Sequence, residues 1–336
     1  VRIGLALPHY DYSFPPGEIL GWRAVANAAT RAESLGYDSI WISDHFFLDV
    51  GRYGAPAGPH GTIEPFTALA AIAAVTERIR LGTLVACAPL RHPAIVAKMS
   101  STIDLVSGGR FDLGLGAGWF EPEFAAFGYP FGTVGERFRA LEEAVEAIAL
   151  LFADAGPVTF DGVTVRLDGA FNHPPPSQPG GPPIWLGGKG GDRLLGLVAR
   201  RASGWNLSWR ATPSAYAARA AALERRCEEA GRDPATARRS IGLYALIGED
   251  GKDLQARWQG LREWAPGRSL DGVSLEDFAE DTLTGMPDVA LARLAAFAGS
   301  GVEEVIVNAA HLPFAVHDWS QVELIASALI PAAHAL

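Results

Sequence analysis

The 336-residue sequence predicts an α/β fold, a single (β/α)8 TIM barrel over 1–336 with insertions after the fourth helix and after the seventh strand. Two observations predict it. Short apolar strands and longer amphipathic helices alternate eight times along the chain. The two irregular stretches, at about 155–182 and 250–286, interrupt that alternation without resetting it, so they read as insertions and not as domain boundaries. Composition agrees: 49% hydrophobic and 20% charged residues suit one large core.

Taken in order, "RIGLAL" from Arg2 is the first strand, and the helical stretch from Ile19 to Leu35 follows it, stopped by Gly36. "SIWIS" from Ser39 is the second, followed by a Gly- and Pro-rich loop from Gly51 to Gly61 and the helix "EPFTALAAIAAVTE". "RLGTLVA" from Arg80 pairs with a helix from Pro93 to Leu105, and "FDLGLGA" from Phe111 with "ERFRALEEAVEAIALLFAD". In the first insertion, alternating Val and Thr around Asp161 and Gly162 predict a small hairpin. "PIWLGG" with "GDRLLGLVARRA" is the fifth pair, and "GWNLSW" with a helix from Pro213 to Ala230 is the sixth. "SIGLYALIG" near Ser240 is strand seven. The second insertion, with Trp258 and Trp264, precedes a helix from Asp288 to Ala298. "EEVIVNAA" is strand eight, and a helix from Gln321 to Ala333 follows.

A net charge of −10 with no Lys/Arg stripe argues against a nucleic-acid partner. Cys87 and Cys227 show neither disulfide nor zinc spacing, so a reducing cytoplasm is the expected location. No apolar run reaches bilayer-spanning length, and "VRIGLALPHY" reads as a strand, not a signal peptide, so no membrane role is expected.

In a barrel the residues after each strand meet on one face. Asp44 and His45 follow strand two there, either as site residues or with His45 as a plain strand cap. A metal-dependent hydrolase would need His and carboxylates at several strand ends, and "PHYDY" supplies only His9 and Asp11. No metal is expected.

The ordered motifs "SDHFF", "RIRLGTLV", "RHPAIVAK", "TIDLVSGGRFDLGLGAGWFEPEF", "GERFRALEEA", "PIWLGGKGG" and "ARRASGWN" resemble the luciferase-like monooxygenase superfamily, most of all its branch that uses the deazaflavin coenzyme F420. The resemblance runs from Arg2 to about Gly231 and weakens after Ile247. It implies a flavin or deazaflavin across the strand ends, coenzyme F420 in one reading and FMN in the other, with its phosphate near the loop after strand five. That loop holds Gly187, Gly188, Lys189 and Gly190 ahead of a helix, and Lys189 is one of three lysines in the chain. The alternative is a tight turn that needs glycine. The resemblance also implies a non-prolyl cis bond at Leu84–Val85, or else Val85–Ala86, against the cofactor. It places Ala117 and Gly118 under the ring and Asn206 near its polar edge.

By the same resemblance, the reaction is hydride transfer between the deazaflavin and an organic substrate. His45 is expected to carry the substrate proton, a role suited to histidine as a residue type. Asp44 is expected to hold His45 or touch the ring. In the deazaflavin-dependent glucose-6-phosphate dehydrogenases an acidic glutamate stands where this chain has Trp119. Asn308 and His311 end strand eight without a cationic clamp for a sugar phosphate.

Phe46, Phe47, Trp119, Phe120, Trp258 and Trp264 suggest an aromatic mouth for an apolar or cyclic substrate, or else a dimer surface. Phe46, Trp119, Trp209 and His311 are the expected substrate contacts. Arg52, Arg91 and Arg193 are candidates for the acidic cofactor tail. A homodimer is expected from the resemblance. The competing readings are an FMN-dependent monooxygenase fed by a separate reductase and a non-catalytic flavin-binding protein.

Overall fold

Parallel strands that are apolar on both faces must be covered on both, and the eight such segments of this chain meet that need by closing on one another. In the computed structural model, which describes residues 1–153 and 156–336, these are β1 (Arg2–Ala6), β2 (Ser39–Ile42), β3 (Arg80–Thr83), β4 (Phe111–Gly116), β5 (Ile184–Gly187), β6 (Gly204–Trp209), β7 (Arg238–Ile247) and β8 (Glu304–Asn308). Each pairs in parallel with the next, and β8 returns to β1 with Val305 opposite Ile3. The predicted barrel is therefore the observed one.

The outer layer comprises α1 (Trp22–Ser34), α2 (Pro65–Val75), α3 (Pro93–Ser107), α4 (Glu121–Ala126), α5 (Val134–Phe152), α6 (Asp192–Arg201), α7 (Pro213–Glu229), α8 (Gly251–Trp264), α9 (Leu275–Ala279), α10 (Pro287–Ala298) and α11 (Trp319–Ala333). Local chemistry sets their ends. The Thr133 hydroxyl and Glu136 cap the start of α5 reciprocally, and Gly108 closes α3 in the left-handed region.

Four details differ from the sequence expectation. The third strand stops at Thr83, passes a cis Leu84–Val85 bond, and resumes as Ala86–Cys87 beside Leu115 and Gly116. The loop after β2 contains a short antiparallel pair, Phe47–Asp49 with Pro59–Gly61. The 250–286 stretch holds α8, α9 and a short strand, Leu283–Gly285, that pairs in parallel alongside Ala245, Leu246 and Ile247 at the end of β7. The six-residue α4 has no counterpart in the sequence reading, being too short to show a helical period. The expected hairpin forms from Val158–Asp161 and Arg166–Ala170. The predicted helix end at Asp154 and the insertion start at Ala155 lie outside the described residues. Among the described residues no helix is long and apolar enough to cross a membrane.

Two indoles pack inside the barrel. Trp41 on β2 lies in register with Gly82 on β3, and Trp185 on β5 with Gly204 on β6. A Cβ on Gly82 would sit 2.3 Å from the Trp41 ring, and one on Gly204 would sit 2.5 Å from the Trp185 ring. The two rings meet edge to face at 6.4 Å. Their N–H groups are satisfied: Trp41 donates to Ser39 Oγ at 2.8 Å, and Trp185 donates to Asp112 Oδ1 at 3.1 Å.

Gly82→Ala should therefore lower stability by about 1–3 kcal/mol through overpacking. Adding Trp41→Phe should recover part of the loss. Urea unfolding of both variants checks this, and a neutral Gly82→Ala would refute the packing account.

Candidate active site

The C-terminal ends of the strands surround a cavity of about 920 Å³. From β2 and its loop come Ser43, Asp44, His45, Arg52 and Tyr53; from the β3 bulge, Leu84, Val85, Ala86 and Cys87; from the β4 end, Ala117, Gly118, Trp119 and Phe120. Gly187, Gly188 and Lys189 follow β5, Asn206 and Trp209 belong to β6, and His311 follows β8. Of the residues expected from the sequence to act in catalysis, hold the cofactor or touch the substrate, Phe46 and Gly190 are not on the cavity wall.

Phe46 turns instead to Phe127, 4.5 Å between ring centroids, and joins a side cluster with Cys87, Leu90 and Phe124. Phe47 packs on Phe120 at 5.5 Å, and Trp258 is buried against Phe278. Trp258 and Trp264 thus support the 250–286 segment and do not line the mouth. Trp119 is 42% exposed, with the Arg52 guanidinium 4.0 Å over its ring.

His45 is held by a residue the sequence reading missed. Glu123, on α4, is buried, and its Oε2 accepts from His45 Nδ1 at 3.1 Å while Oε1 accepts the Phe46 backbone N–H. Both carboxylate oxygens are acceptors, so the Nδ1 position carries a proton and Nε2 is left toward the cavity. Among the described residues Nε2 has no hydrogen-bond partner. Trp119 leaves its own position without an acid, yet Glu123, four residues on, brings one to the site.

The expectation that Asp44 holds His45 is corrected. Its Oδ2 accepts from Arg91 at 2.5 Å and from the Cys87 backbone N–H at 2.9 Å. Oδ1 is buried without a partner among the described residues. Burial pushes the Asp44 carboxyl up from its ordinary value, and the Arg91 guanidinium opposes that rise. Arg91, also bonded to Glu64 at 2.9 Å, and Arg193, bonded to Glu142 at 2.7 Å, are absent from the cavity wall; Arg52 is on it.

The Leu84–Val85 peptide is cis, at the first of the two positions the sequence suggested. The Val85 side chain fills the space above Gly116 and Gly187, where added Cβ atoms would meet its methyls at 2.7 and 2.6 Å. Gly187 is therefore needed for packing, and Gly190 likewise: its φ is +71 and a Cβ would lie 2.8 Å from Trp205. Glycine in this loop thus has a structural cause. The backbone N–H groups of Lys189, Gly190 and Gly191 still bond to nothing among the described residues, just ahead of α6. Gly118 (φ +77) closes against Cys87 Sγ.

Asn206 donates to Ser240 Oγ at 2.9 Å and accepts from Ser208 Oγ at 2.7 Å, so the amide is oriented before any ligand arrives. A second non-prolyl cis bond, Ser208–Trp209, precedes Trp209, whose ring meets Phe314 edge-on at 5.0 Å. His311 shares a 2.6 Å hydrogen bond with Ser269 Oγ, and burial lowers its pKa to about 4. Asn308 braces the β8 loop by donating to the carbonyls of Ala310 and Leu312.

His9 and Asp11 take separate partners. His9 bonds Leu7 O and Ser43 Oγ, and Asp11 bonds His60 and the Gly61 N–H. Among the described residues no group of three or more His, Cys, Asp or Glu is placed to hold a metal.

The luciferase-like monooxygenase family model matches residues 8–310. An F420-dependent glucose-6-phosphate dehydrogenase of Kineococcus radiotolerans is 33% identical over 75% of this chain and 70% of its own length. A pyrimidine monooxygenase of Yersinia enterocolitica is 32% identical over 79% and 74%. An uncharacterized Mycobacterium tuberculosis protein is 34% identical over 54% of this chain, which spans 66% of that relative. Among solved structures, an F420-dependent secondary alcohol dehydrogenase superposes with a TM-score of 0.76 at 22% identity, over 99% of this chain and 98% of the other.

Burial lowers the pKa of His9 to about 3, whereas in the unfolded chain a histidine protonates below about 6.5. Unfolding in that window takes up a proton, so stability is retained above pH 6.5 and lost as pH falls, by up to about 1.4 kcal/mol per unit from this group. Urea unfolding of wild type and His9→Asn at pH 6 and 4.5 should show the shallower pH slope in the variant; equal slopes would mean that His9 is protonated in the fold.

Proposed function

The chain belongs to the luciferase-like monooxygenase family, and within it we propose an F420-dependent oxidoreductase that transfers a hydride between the deazaflavin and an organic, apolar or cyclic substrate. The observation that carries the reading is His45 at the cavity wall, held through Nδ1 by buried Glu123 with Nε2 open. Two features fit a bound flavin-type group. Asp44 Oδ1 is a buried acceptor without a partner among the described residues, and the unengaged backbone N–H groups of Lys189, Gly190 and Gly191 lie just ahead of α6.

In this reading Lys189 and the N–H groups of Lys189 and Gly191, both on the cavity wall, would hold the cofactor phosphate, aided by the helix dipole by about 0.3–1 kcal/mol. Asp44 Oδ1 would accept a hydrogen bond from the ring, and Val85 would pack against it. When bound, the deazaflavin supplies a two-electron hydride carrier. His45 Nε2 takes or gives the substrate proton, and Glu123 supports the imidazolium through Nδ1. Tyr53, Phe120, Trp209, Tyr244 and Phe314 give the remaining wall its apolar character, which suits a cyclic or apolar substrate. We include a cytoplasmic homodimer in the reading: Val75, Ile95, Leu105 and Val106 are exposed on the neighbouring α2 and α3.

The similarity to a pyrimidine monooxygenase favours a second reading, an FMN-dependent monooxygenase supplied by a flavin reductase. A non-catalytic flavin binder would have no use for a buried carboxylate committed to one imidazole.

Fluorescence and absorbance titrations with F420 and FMN decide between the first two. F420 binding without FMN binding is expected; the reverse would move the chain to the monooxygenase reading, and binding of neither would overturn both. His45→Ala should lower turnover by about 10²–10⁴ while leaving cofactor affinity within about threefold. Equal losses would make His45 a binding residue.

A further inference from the structure

Beside His45 the cavity wall carries a buried chain of hydrogen bonds that the reading above does not use. Tyr10 Oη lies 2.6 Å from Ser43 Oγ, Ser43 Oγ lies 3.0 Å from His9 Nε2, and His9 Nδ1 lies 2.7 Å from the Leu7 carbonyl oxygen. All three side chains are buried, and Tyr10 and Ser43 line the cavity.

The direction of every proton in this chain follows from its last member. A backbone carbonyl only accepts, so His9 Nδ1 carries the proton. With burial keeping His9 neutral, Nε2 is an acceptor, and the single Ser43 hydroxyl proton must point at it. Ser43 Oγ can then only accept from Tyr10, so the Tyr10 O–H is committed away from the ligand. Its oxygen retains acceptor capacity, and among the described residues it has no other hydrogen-bond partner. A tyrosine facing a cavity ordinarily rotates its hydroxyl to donate or accept as the ligand requires; this one has lost that freedom.

We infer that Tyr10 is a specificity-determining residue, which offers substrates a fixed hydrogen-bond acceptor and so selects molecules bearing an O–H or N–H group over ethers or ketones of the same shape. The inference rests on the hydride-transfer reading and narrows its substrate class to a hydroxyl- or N–H-bearing apolar ring. For a substrate that carries an alcohol in addition to the O–H or N–H group held by Tyr10, the C–H hydrogen would leave with its electron pair to the deazaflavin, the alcohol's own proton would pass to His45 Nε2, and a carbonyl would remain. Tyr10 acts by positioning, because its own proton does not move.

Three naphthalene probes test this by calorimetry on the full chain at pH 7.5, with cofactor present and absent. They are 2-naphthol, which donates; 2-methoxynaphthalene, which cannot; and 2-acetylnaphthalene, which only accepts. Wild type should prefer 2-naphthol to 2-methoxynaphthalene by about tenfold, the equivalent of about 1.4 kcal/mol. Tyr10→Phe should bring the ratio within about twofold while leaving methoxynaphthalene affinity and cofactor binding unchanged. Ser43→Ala, which releases the Tyr10 proton, should move the preference toward 2-acetylnaphthalene. A wild-type ratio near one, or a preference that survives Tyr10→Phe, would overturn the assignment of Tyr10 alone. Failure of wild type to bind either F420 or FMN would overturn the parent reading, whatever the probes do.

Discussion

The interior volume of the barrel is the constraint on which the rest depends. Two indoles occupy its axis, and they fit because each has a glycine as its neighbour on the next strand, Trp41 beside Gly82 and Trp185 beside Gly204. An interior packed to this density leaves no slack for a side chain to retreat into. The same layer anchors charge: the Trp41 indole N–H also lies 3.2 Å from Glu304, and Arg80 bonds Asp112 at 2.7 Å. Polar groups of the lower barrel are thereby engaged with one another, and the open space lies where the strands end.

Above that layer, two buried carboxylates a short way apart in space have different roles because their partners differ. Asp44 faces Arg91 and a backbone N–H, an arrangement that compensates its charge and leaves one oxygen unpaired. Glu123 faces an imidazole and a backbone N–H, so its second oxygen is committed to holding a titratable ring. The first suits a fixed acceptor, and the second suits proton traffic. Neither role is intrinsic to Asp or Glu; each is set by what the loops after β2, β3 and β4 bring together.

How much of this was legible in the sequence follows from the range of each interaction. Strand and helix order is a local, periodic property, so eight alternations and glycine stops could be read directly. The position of Asp44 and His45 at a strand mouth follows from that order. Side-chain partners are another matter. Arg91 lies 47 positions from Asp44 and Glu123 lies 78 from His45, separations that no local pattern encodes. The signal for Glu123 was faint: "EPEF" starts a six-residue helix whose first Glu is exposed while its second is buried. The loop glycines were read for φ > 0 and for the lack of a Cβ toward a phosphate; Gly190 does take a positive φ, but the space is used at Gly187 and Gly190 by Val85 and Trp205. Phe46 and Trp258 were read as mouth residues because aromatic character does not say which way a ring turns.

The cavity's polar wall combines two kinds of fixed hydrogen-bonding group. His45 is tied through Nδ1 to a carboxylate, and the Tyr10 proton is tied through Ser43 to His9, so neither can reorient freely to suit a ligand. Preorganisation of this sort has an energetic consequence: the reorganisation that water would undergo around a moving charge is replaced by dipoles already in place. It also makes the site discriminating, because a ligand of the wrong polarity meets groups that cannot turn to accommodate it. The buried residues that enforce these orientations, Glu123, Ser43 and His9, are thus as much a part of the site's chemistry as the side chains that face the ligand.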